Sequence, residues 1–256
     1  MIIYFSATGN CKYAATRISQ KTGDKIVSII QLNKNTDYCI ELENDESLGI
    51  VIPTYFYGLP VLVKEYLSKM TIKTDNENPY LYSVSTYGTT PGGSIEIINN
   101  ILNDKGHELS SKYTLQMVDT WTVEFDLTKE ENIAYFTKNT EDKLNSIIES
   151  VMERRNDDLT EKTKGKLFYT FAQFAYELDR KTSYFSVDDS CTGCGLCQRD
   201  CPVEAIEIKG GKPVWIKDKC LICFRCIHRC PAFSIEYKHK TKVNGQYTNP
   251  NVAVFD

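Results

Sequence analysis

The sequence is poor in the features that several function classes require. It has three histidines and two tryptophans in 256 residues, and no basic excess: 30 Lys and Arg stand against 34 Asp and Glu, a net charge of −4. A nucleic-acid surface needs clustered positive charge and is not indicated. Long hydrophobic runs are also missing. The most apolar stretch, Leu48 to Val63, is broken by Pro53, Gly58 and Pro60, and is shorter than the roughly 18 residues a spanning helix needs. Met1-Ile2-Ile3-Tyr4-Phe5 carries no basic residue ahead of its apolar side chains. No secretory signal is expected, and the chain reads as soluble and cytoplasmic. There is no G-x-G-x-x-G, so no second, dinucleotide-binding domain is expected.

Cysteine is the exception. Eight of the ten cysteines fall between Cys191 and Cys230. In a reducing compartment such crowding points to metal rather than disulfides. The pattern C-x-x-C-x-x-C-x-x-x-C-P occurs twice, as Cys191, Cys194, Cys197, Cys201, Pro202 and as Cys220, Cys223, Cys226, Cys230, Pro231, offset by 29 residues throughout. Val187 and Ile216, Asp189 and Asp218, Ile206 and Ile235, and Glu207 and Glu236 keep the same offset, so two pseudo-symmetric halves are expected. Three cysteines at two-residue gaps wrap three corners of an iron–sulfur cube. The fourth, set apart by a longer gap and a proline, reaches the other cube. Cys191, Cys194, Cys197 and Cys230 are thus expected to hold one [4Fe-4S] cluster, and Cys220, Cys223, Cys226 and Cys201 the second. Tetrahedral zinc, the alternative, usually takes paired C-x-x-C motifs. Amides around Gly193 and Gly195 are expected to face cluster sulfurs. Arg225, His228 and Arg229 should raise the potential of the second cluster, with His228 as a surface residue. These cysteine motifs resemble those of bacterial two-cluster ferredoxins, over about Tyr184 to Tyr237.

The N-terminal part alternates strand and helix signals. Strands are expected over Ile2–Phe5, Lys25–Ile30, Gly49–Pro53, Tyr80–Ser85 and Tyr113–Val118. Helices are expected after Asn10, over Val61–Met70 and Gly93–Lys105, and from a capping box of Thr128 and Glu131. This order argues for a parallel sheet covered by helices on both faces. Residues 1–155 are expected as one domain, 156–183 as linker and connecting helix, 184–238 as the cysteine domain and 239–256 as a polar tail. In the connecting helix, Leu167, Phe168, Phe171, Phe174, Ala175 and Leu178 repeat at helical spacing and are expected to pack on a domain.

Ser6-Ala7-Thr8-Gly9-Asn10-Cys11 follows a strand and opens a helix, where amides and the helix dipole favour an anion. An ordinary capped turn is the alternative. Two further loops lie at strand C-terminal ends, where open α/β sheets bind ligands. One is Pro53-Thr54-Tyr55-Phe56-Tyr57-Gly58, running on to Pro60. The other contains Thr86, Tyr87, Gly88, Gly92 and Gly93. Cys39 reads as a plain side chain, and Trp121 as a cover for the ligand, an interface residue or a core residue.

Through Ser6, Thr8, Gly9 and Asn10 the N-terminal part resembles flavodoxin, with Cys11 replacing the family's final threonine. The resemblance implies a doubly wound α/β fold and FMN. It implies Tyr55, Phe56 and Tyr57 on one side of the ring, Tyr87 and Gly88 on the other, and a flexible peptide at Tyr57–Gly58. Except for its tail, the chain resembles flavodoxin–ferredoxin fusion proteins: an α/β domain, then a small α+β domain with two [4Fe-4S] clusters. That implies electron transfer between FMN, the clusters and an external redox partner with a basic docking patch. A flavin-dependent oxidoreductase acting on a small molecule or NAD(P)H, and a redox sensor, are the rival functions.

Overall fold

A computed structural model describes residues 1–161 and 165–253. The first part runs β1 (Ile2–Tyr4), α1 (Asn10–Thr22), β2 (Ile26–Ser28), α2 (Ile29–Lys34), β3 (Cys39–Glu41), β4 (Ser47–Pro53), α3 (Val61–Lys69), β5 (Thr71–Lys73), β6 (Tyr80–Tyr87), α4 (Ser94–Asn103), β7 (Ser111–Gln116), α5 (Glu130–Met152) and β8 (Asp158–Leu159). Six strands form one parallel sheet in the order β2-β1-β4-β6-β7-β8. Alternate residues of β1 and β4 feed opposite cores. Ile3, Ile50 and Ile52 meet Tyr66, Leu67, Ile98 and Leu102 of α3 and α4. Ile2, Tyr4 and Val51 meet Ala14 and Ile18 of α1 and Leu144 and Ile147 of α5. Both faces are therefore covered, which is why the central strands read as continuous apolar runs. The fold is a flavodoxin-like doubly wound sheet followed by a small second domain. No helix among the described residues is long and apolar enough to cross a membrane.

The structure departs from the sequence pattern in several places, among them β3 and β5, which pair as a separate two-stranded sheet. The strand expected to Ile30 stops at Ser28, whose hydroxyl accepts from Ile30 N–H and starts α2. The segment expected as linker contributes β8, a two-residue edge strand too short to show any periodicity. The capping box does not form: α5 starts at Glu130, and Thr128 Oγ1 instead donates to Asp126. The connecting helix α6 (Lys166–Asp179) is turned over. Phe171, Phe174 and Leu178 are exposed, whereas Tyr169, Ala172 and Tyr176 are buried. The side chain of Leu167 lies outside the described residues.

The second part repeats a strand–helix–strand unit. It comprises β9 (Phe185–Val187), α7 (Leu196–Arg199), β10 (Ile206–Lys209), β11 (Lys212–Trp215), α8 (Arg225–His228) and β12 (Ile235–Tyr237). β10 pairs with β11 and β12 closes on β9, both antiparallel. The halves interlock as the 29-residue offset anticipates.

The two parts share a core. Leu221, between two cysteines of the second motif, is 2% exposed and sits in the same apolar cluster as Phe5, Ile52 and Leu59. Tyr55, Phe56 and Trp121 pack in turn against Phe224 and Tyr237. Helix α6 is wedged beside this seam, with Tyr176 donating to Leu221 O at 2.9 Å and Arg180 Nε to Cys220 O at 2.8 Å. The polar tail does not trail away. It runs back to the start of α1, where Asn249 N–H donates to Thr8 O at 2.7 Å.

Candidate functional site

The loop from β1 to α1 is buried, with Ser6, Thr8 and Asn10 each under a tenth exposed. Gly9 turns it at φ 103°, a left-handed backbone that glycine adopts without penalty. Ser6 Oγ accepts from Gly9 N–H at 3.1 Å, which shapes the loop. The first helical bond runs from Tyr13 N–H to Gly9 O, so the amides of Asn10 and Cys11 precede it, and no side chain caps the helix. Cys11 Sγ lies 3.1 Å from Thr86 Oγ1, and burial pushes its thiol up to about 12. It is a neutral tether between the first loop and β6.

Beyond β4, Thr54 is the knot of the second loop. Its hydroxyl lies 2.8 Å from Pro91 O, 2.9 Å from Ser85 Oγ and 3.1 Å from Ser94 Oγ. Tyr55 and Gly58 exchange two backbone hydrogen bonds of 2.9 Å, and Phe56 and Tyr57 between them stand at φ 46° and 63°. This is a two-residue turn of a kind usually made by Asn and Gly. The peptide expected to be flexible is held at both ends. Tyr57 O accepts from Gly93 N–H at 2.8 Å, while Gly58 N–H donates to Tyr55 O. Gln173 of α6 adds bonds to Tyr55 O and Phe56 O at 2.7 and 2.9 Å.

These loops enclose a cavity of about 400 Å³ at the C-terminal edge of the sheet. Ser6, Ala7, Thr8, Asn10, Cys11, Pro53, Thr54, Tyr55, Phe56, Tyr57, Thr86, Tyr87 and Gly88 line it. Gly9, Gly58, Gly92 and Gly93 lie behind the walls. A Cβ on Gly92 would come within 2.5 Å of the Tyr57 backbone, and one on Gly93 within 2.8 Å of the Tyr169 ring.

Of two further walls, only Trp121 was anticipated. The loop after β7 supplies Met117 to Trp121 with Glu124 and Phe125. Its position at a strand C-terminal end was the available signal. Asp119 there is half-buried, and desolvation raises its pKa above the ordinary value, opposed by hydrogen bonds from the N–H groups of Trp121 and Thr89. Gly88 is required beside it, since a Cβ would fall 2.0 Å from Asp119 Oδ2. The remaining wall comes from the other end of the chain: Ile222, Cys223 and Phe224 face the same space. Trp121 stacks on Phe224 at 4.7 Å and 15° and meets Phe56 edge-on at 5.2 Å.

The cysteines gather in two hollows. Cys191, Cys194, Cys197 and Cys230 line one, and Cys201, Cys220, Cys223 and Cys226 the other. Each set takes three cysteines from one motif and the fourth from its repeat. The hollows differ in exposure: Cys194 is open to solvent, whereas Cys201 and Cys220 are buried. Burial pushes the thiols of Cys220 and Cys223 up to about 12 and 11, so coordination has to displace their protons. Backbone N–H groups of Ala205, Ile222 and Ser234 lie 3.3, 3.3 and 3.4 Å from Cys201, Cys220 and Cys230 sulfurs. Arg225 is buried, and Arg229 pairs with Asp200 at 3.1 Å. His228 is not a surface residue. It is 4% exposed, and burial lowers its pKa to about 4, which keeps the ring neutral. Its Nε2 lies 2.9 Å from Thr120 O, and its Nδ1 accepts from Tyr247 N–H at 3.2 Å.

Two family models match the chain. One, a Flavodoxin domain, covers residues 1–146, and the other, a 4Fe-4S dicluster domain, covers residues 184–231. Among solved structures the chain is similar to a flavodoxin from the domain Archaea, 12% identical over 57% of this chain and 96% of that one, with a TM-score of 0.30. No curated protein matches the sequence.

Proposed function

The chain belongs to the flavodoxin family and carries a 4Fe-4S dicluster domain behind its flavodoxin domain, which makes it a redox electron-transfer protein, and from that premise we propose that it relays electrons between FMN in the sheet-edge cavity, two [4Fe-4S] clusters and an external redox partner. The observation that carries this is the shared wall: Ile222, Cys223 and Phe224 line the cavity that also holds the phosphate-loop residues Thr8 and Asn10. A domain merely strung behind the first would not lend it a wall.

The residues fit the groups. A cavity of about 400 Å³ lies within the usual range for a cofactor. One end is lined by hydroxyls and the start of α1, suited to a phosphate, and the other by Tyr55, Phe56, Tyr87 and Trp121, suited to a flat ring. Among the described residues, no three of His, Cys, Asp and Glu converge as on a single metal ion. Thiols spread round a hollow suit the separate corners of a cube better than one tetrahedral zinc.

When bound, FMN would exchange one or two electrons and each cluster one, so the chain's own part is to hold, orient and tune. Cys220, Cys223, Cys226 and Cys201 would fix the cluster next to the cavity. Cys191, Cys194, Cys197 and Cys230 would fix the one facing solvent. Phe224 and Trp121, stacked at 4.7 Å, would shield the seam between cavity and inner cluster from water. The order is therefore cavity, inner cluster, outer cluster, partner. With eight thiolates, two cluster cores and a phosphate, the net charge of −4 becomes about −10. A partner with a basic patch would be steered to it, and the encounter would weaken with salt.

Anaerobic purification with iron, sulfide and flavin quantitation, then a potentiometric titration read by absorbance and electron paramagnetic resonance, tests this. Two clusters and one FMN are expected. Clusters without flavin would overturn the relay, and direct flavin bleaching by NADH or NADPH would favour the oxidoreductase instead.

A further inference from the structure

The last turn of the chain closes a circuit between the two sites. Gln246 Nε2 donates to Ile227 O at 2.6 Å and to Cys230 O at 2.9 Å, at the end of α8. Tyr247 N–H donates to His228 Nδ1 at 3.2 Å. From the same four-residue stretch, Gln246 to Asn249, the chain reaches the phosphate loop. Tyr247 Oη and Asn249 Nδ2 both donate to Asn10 Oδ1 at 3.2 Å, and Asn249 N–H donates to Thr8 O at 2.7 Å. Asn10 Nδ2 donates to Val118 O at 3.1 Å, which fixes the amide's orientation. The Asn249 Cβ lies 2.9 Å from where a Cβ of Gly9 would stand, so the strap is seated directly on the left-handed turn. Tyr247 and Asn249 are themselves 7% and 5% exposed.

We propose that Tyr247 and Asn249 are positioning residues of the phosphate loop, supplied by the segment that follows the iron–sulfur domain and is itself pinned to it. The proposal rests on the placing of FMN in the cavity. Neither residue lines the cavity, so they act through Asn10 and Thr8. Removing both side-chain donors leaves Asn10 Oδ1 a buried acceptor without its partners, which shifts an equilibrium more than the loss of one bond does.

The test is FMN binding by fluorescence quenching to the full-length, cluster-loaded protein, for wild type, Tyr247→Phe, Asn249→Ala and the double variant, with riboflavin as a ligand lacking phosphate. Each single variant is expected to raise the dissociation constant for FMN about threefold to tenfold, and the double variant about thirtyfold. Riboflavin affinity and iron and sulfide content are expected to stay at wild-type values. Equal loss for FMN and riboflavin, or no loss for either, would overturn the proposal while leaving the cavity assignment standing. Wild-type protein that binds no FMN would overturn the assignment itself.

Discussion

Phe224 stands where Gly195 stands in the other copy of the cysteine motif, 29 residues earlier, and both hold a left-handed backbone, at φ 55° and 76°. Ile222 and Gly193 repeat the relationship at 44° and 69°. A non-glycine residue there costs of order 1–3 kcal/mol. The outer motif uses glycine and has no such cost. The inner motif accepts it and places an apolar side chain against the cavity. Phe224→Gly relieves the backbone, whereas Phe224→Ala keeps the strain, and both lose a side chain that is 1% exposed. Denaturant unfolding should therefore show the glycine variant more stable than the alanine variant by about 1 kcal/mol, with both some 2–5 kcal/mol below wild type. Alanine more stable than glycine at this position would show that the strain is not felt.

Leu221 joins the two parts through apolar packing. Its side chain is enclosed by the core of the sheet domain, so Leu221→Ala should cost about 2–5 kcal/mol. The cost falls on docking rather than on either domain alone. In wild type, loss of flavin fluorescence quenching and of cluster absorbance should coincide along a denaturant series. In the variant they should separate, with the flavin signal failing first.

Legibility in the sequence followed the range of the interactions. The cysteine spacing is local and repeats at 29 residues, so the gathering of the eight cysteines into two hollows was legible. Ser6 to Asn10 was readable because a strand, a hydroxyl-rich turn and a helix start are consecutive. The sheet was readable because Ile50 to Ile52 must be apolar on both faces. What failed was tertiary. Phe171 and Phe174 make a good helical stripe yet face solvent, because Tyr176 and Gln173 found partners in Leu221 and Tyr55. Thr128 looked like a cap but was captured by Asp126. Tyr247 and Asn249 lie in a polar segment without periodicity, and their partners are more than 230 residues away. No local pattern announces a strap of that kind.

Gly88 and Asp119 form a second coupled pair. A Cβ on Gly88 would lie 2.0–2.2 Å from three atoms of the Asp119 side chain. Gly88→Ala must therefore expel that side chain into the cavity, and FMN affinity should fall by at least tenfold. Asp119→Gly removes the obstacle along with the bond from Trp121 N–H. In a double-mutant cycle on folding stability, the double variant should be less damaged than the sum of the singles by about 1–3 kcal/mol. Simple additivity would mean that the loop yields and the close approach is immaterial.

Asp119 also sets a pH dependence whose sign can be worked out. Burial is the main cause of its raised pKa, with the negative charge of Glu124 adding to it and the N–H groups of Trp121 and Thr89 opposing it. The folded chain thus holds this proton at a pH where the unfolded chain, near the ordinary 3.8, has released it. Stability is fully present below that ordinary value and falls as pH rises through the folded one. Asparagine keeps an acceptor for Trp121 N–H but has no proton to lose. In flavin-free protein, Asp119→Asn should match wild type at the acid end and become the more stable of the two as pH rises. Denaturant midpoints from about pH 4 to 7 measure the gap directly. A gap that narrows towards neutral pH would mean that the carboxylate is stabilised in the folded protein, and that the cavity floor is more polar than its lining indicates.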